Sequence, residues 1–495
     1  MQSLSQKEKV KKPFWPALVI FLALGLVLIV VCSEKNLFLF NLKPHESSTS
    51  SSIASNSETV SVETYYVPVA GFSSSYQNLN FEEIKNSPEN GDVALQIVIP
   101  LENREELLSI FQLGDFPLAV TTMPRTEIYD YLNAHSDIVS FLPWNEVDFR
   151  LKTLKINGTS LWEKQVDLEK YPLKFVSAET KDQSQNLPQY SSQNLIHLAA
   201  VGELILSRGV AERIIKYNDV LYPFRKVNAV LSSADFTLAT LEAPLVENCA
   251  YARDTMVFCG QPEYVAGLPF SGIDLVSLAA NHIKDYGGGG IAETTALLDE
   301  NKIAHVGAGQ NREEAHWPYI AEIGNVKFGF LGYNDVVPES YGATSESAGS
   351  AWAEIDEISA DIANLRPQVD VILVLMHWGI EYTNKPSERQ NEIAHAAISA
   401  GVDIIIGDHP HWVQGVEFYG GKFIVYGVGN FVFDQMWSQE TREGTIVDLF
   451  FYQQKLINVS FRPTVIEDYA QPRLATQEES TRILERIWET SEFVE

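Results

Sequence analysis

The sequence is poor in basic residues and in cysteine. Its 495 residues include 36 Lys and Arg against 65 Asp and Glu, which gives a formal net charge of −29 at pH 7. Because an acidic surface repels phosphate backbones, we do not expect nucleic acid as a partner, although acidic groups can still gather cations at a local site. The three cysteines are not among the candidate ligands described below, so a thiolate-bound structural zinc is not expected.

One long apolar run stands near the N-terminus. Residues 14–32, FWPALVIFLALGLVLIVVC, are uncharged and long enough for a transmembrane anchor. The basic segment KEKVKK precedes the run, so the positive-inside rule predicts that residues 1–13 form a cytoplasmic tail. The expected product is a single-pass protein of the cell membrane, with its bulk outside the cytoplasm. A cleaved signal peptide and a lipoprotein attached through Cys32 are the alternatives.

The length of the rest of the chain predicts more than one domain, at roughly 150 residues each. Hydrophobic residues make up 45% and charged residues 20% of the sequence, a composition typical of globular proteins. A Ser/Thr-rich linker, a small α/β domain of unknown role, a larger domain and a helical tail are predicted over 33–59, 60–185, 195–465 and 466–495. The Gln/Ser-rich stretch KDQSQNLPQYSSQN marks the boundary between the two domains.

From His197 onward, apolar β-branched runs alternate with amphipathic stretches, as in parallel strands joined by helices. The predicted strands are IHLAAV, DFTLATL, IDLVSLA, KFGFLGY, VDVILVLM, VDIIIG and KFIVYG. The strand count alone predicts a single doubly wound sheet. Polar residues follow most of these strands, namely Glu203, Glu242, Asn281, His282, His377, His409, His411 and Asn430. Because ligands bind outside the carboxyl ends of parallel strands, we expect these residues to converge on one pocket.

Carboxylates, an amide and imidazoles without thiolate suit Mn, Fe or Zn, bound as one ion or two. Such ions can promote phosphoryl hydrolysis, and a neighbouring histidine can protonate the leaving group. Asn281 would then bind the metal through its amide oxygen, and His282 would act on the substrate. Each residue also has a structural interpretation, because a histidine after a strand can be a hydrogen-bonded core residue and Glu203 or Glu242 can cap a helix.

Two cysteines flank the segment CAYARDTMVFC, which follows Glu242. Outside the cytoplasm Cys249 and Cys259 are disulfide candidates. Their spacing leaves open whether the two Cα atoms approach closely enough to be bridged.

Six blocks stand in order along residues 195–440: GELILSRGV, TLEAPL, LAANHIKDYGGGGI, VGAGQNREEAHWP, HWGIEY and GDHPHWVQGVEFYGGKFIVYGVGNFVFDQ. They resemble the CapA family of capsule or poly-γ-glutamate synthesis proteins, whose domain is similar to calcineurin-like metallophosphoesterases. The resemblance implies a four-layer α/β/β/α sandwich instead of a single sheet. It also implies membrane attachment and a role in assembling, exporting or releasing an anionic surface polymer together with membrane partner proteins.

Carried over residue by residue, the resemblance makes Glu203, Glu242, Asn281, His377, His409 and His411 metal ligands and His282 the catalytic residue. Asp408, Asn430 and Asp285 are expected to hydrogen-bond the ligands or the substrate. The chain departs from the family pattern at four positions. Glu203 stands where Asp is usual, and Thr240 and Ala280 replace Asn. Asp408 stands where a further His is common, and we expect it to serve as an outer ligand or to orient His409.

Two functional hypotheses follow. The first is a membrane-anchored, metal-dependent hydrolase of a phosphoester, or of an amide, in a surface polymer or its precursor. The second is a non-catalytic accessory subunit that binds the polyanion through the same metal site. A polyanion would be repelled by the acidic surface, so both hypotheses need a locally positive pocket, which a bound metal would supply.

Overall fold

The computed structural model describes residues 59–86, 95–114, 120–250 and 252–493. The predicted tail and transmembrane anchor, and all but the last residue of the predicted linker, lie outside the described residues. Ser57–Glu495 form one compact unit. Among the helices that the structure describes, none is long and apolar enough to cross a membrane.

The first part of this unit has its own sheet and its own core. Its strands are β1 (Thr59–Gly71), β2 (Asn78–Leu79), β3 (Gln96–Pro100), β4 (Val120–Met123), β5 (Ile138–Pro143), β6 (Leu151–Thr153), β7 (Lys155–Ile156) and β8 (Lys174–Thr180). Its helices are α1 (Phe81–Asn86), α2 (Arg104–Phe111), α3 (Arg125–Ala134) and α4 (Lys181–Ser184). We call residues 59–185 the N-terminal module.

The module's main sheet runs in the order β4-β3-β5-β1-β6, and β8 pairs with β1. Strand β3 is parallel to both β4 and β5, so polar residues that follow these strands meet at one edge. There the Arg125 guanidinium donates to Glu146 Oε1 at 2.6 Å and to Asn103 Oδ1 at 3.0 Å. The module therefore pairs its strand-end carboxylate with an arginine.

The larger part of the unit contains the remaining elements. Its strands are β9 (Leu195–Leu204), β10 (Phe236–Leu241), β11 (Leu275–Ser277), β12 (Ala304–Val306), β13 (Ala308–Gly309), β14 (Tyr319–Ile323), β15 (Val326–Asn334), β16 (Gly349–Ser350), β17 (Val371–His377), β18 (Ile404–Asp408), β19 (Val416–Tyr419), β20 (Lys422–Val425), β21 (Asn430–Val432), β22 (Glu443–Tyr452), β23 (Lys455–Glu467) and β24 (Gln471–Leu474). Its helices are α5 (Arg208–Tyr217), α6 (Asn228–Leu231), α7 (Gly267–Ser271), α8 (Gly287–Glu300), α9 (Arg312–Ala315), α10 (Ile355–Leu365), α11 (Glu388–Ala400) and α12 (Gln477–Trp488).

These strands form two main sheets. The first has the order β12-β11-β10-β9-β22-β23-β24, with β21 also paired to β9. The second has the order β14-β15-β17-β18-β20-β19. The strands that precede the candidate residues are parallel within each sheet, so their carboxyl ends lie together at one edge of that sheet.

The two sheets pack face to face, with helices outside. Leu198 and Leu238 of the first sheet share a core with Phe330 and Leu373 of the second. A second core covers the outer face of the first sheet with residues of α5 and α8, and a third covers the second sheet with residues of α10 and α11. The layers are therefore helix, sheet, sheet and helix, as the family resemblance implies.

The single sheet predicted from the strand count is wrong. Strand β9 pairs with β10 on one side and with the antiparallel ribbon β22–β23 on the other, so the second group of parallel strands forms a separate sheet. Strands such as β17 and β18 are buried along their whole length. A strand buried on both faces has the same apolar sequence whether it belongs to one large sheet or to two packed ones.

Candidate metal centre

The first sheet places two carboxylates at its carboxyl edge. Glu203 is near the end of β9, opposite Thr240 of β10, and Glu242 follows the end of β10. The Glu203 and Glu242 side chains are buried. Gly202 lets another segment approach, because a Cβ there would overlap the carbonyl oxygen of Gly429. This close approach lets β21 pair with β9 and brings Asn430 beside Glu203.

The second sheet supplies the histidines. His377 ends β17 and lies opposite Asp408, which ends β18. The chain then turns sharply, because His409 and His411 have φ angles of 88° and 58°. Positive φ is uncommon for residues other than glycine and often marks a functional site.

The two edges meet in a buried group of three side chains. Glu203, Glu242 and His377 each offer one ligand atom, and these atoms all lie within 4.8 Å of one another. Burial and the charges of Glu203 and Asp408 raise the pKa of Glu242 well above its ordinary value. Within the described residues, no lysine or arginine forms an ion pair with Glu203 or Glu242. Glu203 is paired with His411, whereas within the described residues the nearest basic partner of Glu242 is His282, at 4.0 Å.

His377 is fixed through both ring nitrogens. Its Nδ1 lies 2.7 Å from Asp408 Oδ1, and its Nε2 lies 3.0 Å from Asn281 Oδ1. Because the Asp408 carboxylate accepts the Nδ1 hydrogen, Nε2 is the ring nitrogen of His377 that faces Asn281 and that a metal ion would use. Asp408 thus orients His377 and not His409, which the sequence interpretation gave as its partner.

Glu203 bridges from the first sheet to the second. Its Oε1 accepts from the backbone N–H of His409, and its Oε2 lies 2.7 Å from His411 Nδ1. Asn430 Oδ1 lies 2.9 Å from the same nitrogen, so Nδ1 carries the hydrogen and Nε2 is the atom open to a ligand. Burial would raise the pKa of Glu203, but the charges of His411 and His377 outweigh it and lower that pKa. The longer side chain of Glu, where the family usually has Asp, makes these contacts.

Two polar atoms in this region are buried without a partner. They are Glu242 Oε2 and His409 Nδ1, which have no hydrogen bond within the described residues. Burial, together with the charges of His377 and His411, lowers the pKa of His409 well below its ordinary value. A neutral imidazole and an unpaired carboxylate oxygen are donor types that a divalent ion binds. The residues present therefore fit a divalent metal ion.

His282 lies at the open side of this group. Its Nδ1 is 2.8 Å from Asp285 Oδ2, which also accepts from the backbone N–H of Phe258 at 2.7 Å. Its Nε2 lies 4.0 Å from Glu242 Oε1, and 14% of the side chain is exposed. Asp285 thus orients His282 so that Nε2 faces the centre. Cys249 and Cys259 form a disulfide, with Cα atoms 5.6 Å apart, in the loop that carries Phe258.

Comparisons with known proteins bear on this segment. Residues 197–435 match the family model described as "Bacterial capsule synthesis protein PGA_cap". The capsule biosynthesis protein CapA of Bacillus anthracis is 32% identical over 258 residues, which cover 50% of this chain and 62% of that protein. The PGA biosynthesis protein CapA of Bacillus subtilis (strain 168) is 29% identical over 259 residues, which cover 52% of this chain and 68% of that protein. Residues 197–435 belong to the PGA_cap family.

The PGA_cap segment contains the whole candidate centre, from Glu203 to Asn430, whereas the N-terminal module lies outside it. Among solved structures, the NAD nucleotidase of Haemophilus influenzae aligns with 13% identity and a TM-score of 0.35. That alignment covers 60% of this chain and 63% of the nucleotidase. Such a score is too low to bear on function.

The structure adds contacts to the PGA_cap site that the sequence interpretation missed. Glu381 Oε1 lies 3.8 Å from His411 Nε2, and the Phe258 ring lies 4.1 Å from the His282 ring. Glu381 could have been found from its place in HWGIEY, four residues after His377. Phe258 could not, because its position depends on how the disulfide loop folds back. His197, His305, His316 and His395 pair with other acids, away from the centre.

Proposed function

We propose that this protein is a metal-dependent phosphoester hydrolase that acts on an anionic surface polymer or its precursor. The observation that carries the proposal is the buried group of Glu203, Glu242 and His377, whose ligand atoms lie within 4.8 Å of one another. Glu242 is buried beside Glu203 without a lysine or arginine partner in the described residues, and such burial is costly unless a cation joins the two carboxylates. The family of residues 197–435 supplies the link to capsule synthesis.

The metal ion would be held by Glu203, Glu242 and His377, with Asn281, His409 and His411 beside them. When bound, a divalent ion such as Mn, Fe or Zn supplies positive charge that polarises a phosphoester and lowers the pKa of a water molecule. Asp408 and Asn430 keep the rings of His377 and His411 in place through the hydrogen bonds described above.

His282 would act on the leaving group. In hydrolysis a water oxygen bonds to phosphorus and the water loses a proton to solvent, while the ester P–O bond breaks and the departing oxygen takes a proton. As an imidazolium, His282 would donate that proton from Nε2, because Asp285 accepts the Nδ1 hydrogen and leaves Nε2 directed at the centre. The partial exposure of the ring leaves a route for solvent to return the proton.

The proposed place of action is outside the cytoplasm, with residues 14–32 anchoring the chain in the membrane. Polymer-synthesis or export proteins of the membrane would be its partners. A non-catalytic accessory subunit is the second candidate. The observation that favours it is that both oxygens of Glu203 already accept hydrogen bonds. These hydrogen bonds stabilise the folded site whether or not a reaction takes place there.

Turnover of a phosphodiester separates these candidates. The full-length protein would be assayed for hydrolysis of bis(p-nitrophenyl) phosphate with Mn, Fe or Zn added, beside His282→Ala and the control His305→Ala. His305 pairs with the exposed Asp299, so its loss should leave turnover unchanged. A roughly 10²–10⁴-fold loss in His282→Ala is expected for a missing general acid. Bound metal without turnover under any of these ions would favour the accessory role.

A further inference from the structure

Arg208 lies beside the metal centre, although the sequence interpretation gave it no role. It is the first residue of α5, four positions beyond the end of β9. Its guanidinium carbon lies 4.6 Å from the centroid of the Phe258 ring and 4.9 Å from that of Phe433. The Phe258 ring contacts His282, and the Phe433 ring lies 5.5 Å from the His411 ring. A single aromatic ring therefore separates Arg208 from each of these histidines.

The hydrogen-bonding capacity of Arg208 is only partly used. The side chain is 9% exposed, and Nη2 donates to Asp434 Oδ1. Nη1 donates to the Thr255 carbonyl at 3.5 Å, the outer limit of a hydrogen bond. The Nε hydrogen is buried and has no partner in the part of the chain that the structure describes. A guanidinium has five N–H groups in a planar fork, so this one keeps donors for a ligand.

The positive charge of Arg208 acts on a tyrosine that two acidic groups of the centre also influence. Burial raises the pKa of Tyr382 to about 12, with Glu381 and Glu203 adding to the shift and Arg208 opposing it. The Tyr382 ring lies 5.8 Å from that of His411. The charge of Arg208 thus acts on Tyr382 in the opposite sense to the charges of Glu381 and Glu203. Arg208 also has a φ of 45°, a strained backbone conformation for a residue other than glycine.

An anionic substrate that approaches this centre would meet the carboxylates of Glu203, Glu242, Asp408 and Glu381. We propose that Arg208 is the anion-binding residue of the centre and donates its unused N–H groups to a non-bridging oxygen of the phosphoester. The rings of Phe258 and Phe433, which lie edge-to-face to each other, both contact the guanidinium, and Asp434 binds one end of it. This inference rests on the proposed function, because it assigns the substrate's anionic group to a residue of the same site.

Binding of a phosphoester analogue tests the proposal without turnover. The Kd of dimethyl phosphate for the metal-loaded, full-length protein would be measured by calorimetry for wild type, Arg208→Gln, Arg208→Lys and Asp434→Asn, with bound metal measured in each sample. We expect Arg208→Gln to weaken binding roughly tenfold or more, as for the loss of a charge-assisted hydrogen bond, with bound metal unchanged. The affinity of Arg208→Lys should lie between those of wild type and Arg208→Gln. Asp434→Asn should bind dimethyl phosphate at least as tightly as wild type, because it frees more N–H groups of the guanidinium.

Equal binding by wild type and Arg208→Gln, or no binding by wild type, would overturn the proposal. If Arg208→Gln does not fold, the affinities of Arg208→Lys and Asp434→Asn for dimethyl phosphate decide the question. Equal loss of affinity in both variants would show that Arg208 and Asp434 form only a structural ion pair, and would overturn the proposal. The outcome is separate from that of the hydrolysis assay. A protein that binds dimethyl phosphate through Arg208 but hydrolyses nothing would refute only the hydrolase, and active protein with unchanged Arg208→Gln affinity would refute only the anion site.

Discussion

The N-terminal module and the sandwich both place polar residues where parallel strands end, but they differ in the residues that pair with the carboxylates there. In the module, Glu146 is paired with Arg125 at 2.6 Å. In the sandwich, Glu203 and Glu242 are paired only with histidines within the described residues, although they are more deeply buried. The same strand geometry therefore produces a cluster with an arginine counter-charge in one region and, in the other, a cluster in which Glu242 has no such counter-charge.

The carboxyl groups reflect this difference. Burial raises the pKa of Glu146, and the nearby Arg125 opposes that rise. For Glu242 every cause acts in one direction, because burial and the neighbouring carboxylates all raise the pKa. A cation site requires a buried carboxylate whose charge is not opposed by a neighbouring positive charge in this way. Convergence at strand ends therefore does not identify a metal site by itself, whereas a buried carboxylate without a counter-charge does.

The largest expected effect is the loss of metal in a variant of the sandwich cluster. Glu242→Ala removes one of the three side chains whose ligand atoms lie within 4.8 Å of one another, so bound metal measured by elemental analysis should fall to background. Glu146→Ala, the corresponding change in the module, should leave bound metal unchanged. Equal metal content in both variants would remove the distinction between the two clusters.

A smaller loss is expected when the support of His377 is changed. Asp408→Asn keeps the shape of the hydrogen-bond partner but removes its charge, and such changes typically cost roughly 10–100-fold in metal affinity. The control is Asp448→Asn, since Asp448 Oδ1 makes a 2.7 Å contact with His197 Nε2 outside the centre. Competition with a chelator would give both affinities. An unchanged affinity in Asp408→Asn would mean that the orientation of His377 does not matter for binding.

The stability of the metal-free protein should move in opposite directions in the two clusters. Glu242→Gln replaces an uncompensated buried carboxylate with a neutral group, so it should raise the melting temperature in EDTA. Glu146→Gln removes a partly exposed ion pair and should lower the free energy of unfolding by about 1 kcal/mol or less. Differential scanning calorimetry of both variants checks the signs. A destabilised Glu242→Gln would indicate that this carboxylate is already balanced without metal.

The smallest effect is expected at the rim. Glu381 has a side chain that is 44% exposed and lies 3.8 Å from His411 Nε2, so solvent weakens its influence. Glu381→Gln should change metal affinity by less than roughly fivefold. A larger change, in the same chelator competition, would make Glu381 a ligand and extend the centre to its open side.

The strand ends of the sandwich could be predicted because they depend on a local pattern. An apolar run such as VILVLM followed by His377, or III followed by Asp408 and His409, places a polar side chain at a known edge of a parallel sheet. Convergence across two sheets could not be derived from that pattern, and the expected four layers came from the family resemblance. Strand β21 reaches Glu203 only because Gly202 and Gly429 allow two backbones to approach, which spacing does not reveal.

Residue roles that depend on side-chain direction were harder to predict. Asp408 precedes His409 in sequence, but cross-strand register puts it opposite His377. The positive φ angles of His409 and His411 aim the backbone N–H of His409 at Glu203, and no residue pattern signals this turn. Arg208 stands in a stretch whose sequence is typical of the start of a helix. Only its packing against Phe258 and Phe433 shows that it lies near the histidines of the centre.

The proposed function depends on the binding of a divalent ion by Glu203, Glu242 and His377. The most direct test of this binding is elemental analysis of the purified, full-length protein after equilibration with Mn, Fe or Zn and removal of loosely bound metal, beside His377→Ala. We expect a stoichiometric amount of one of these metals in wild type and its loss in His377→Ala. Metal no higher in wild type than in His377→Ala would contradict this expectation.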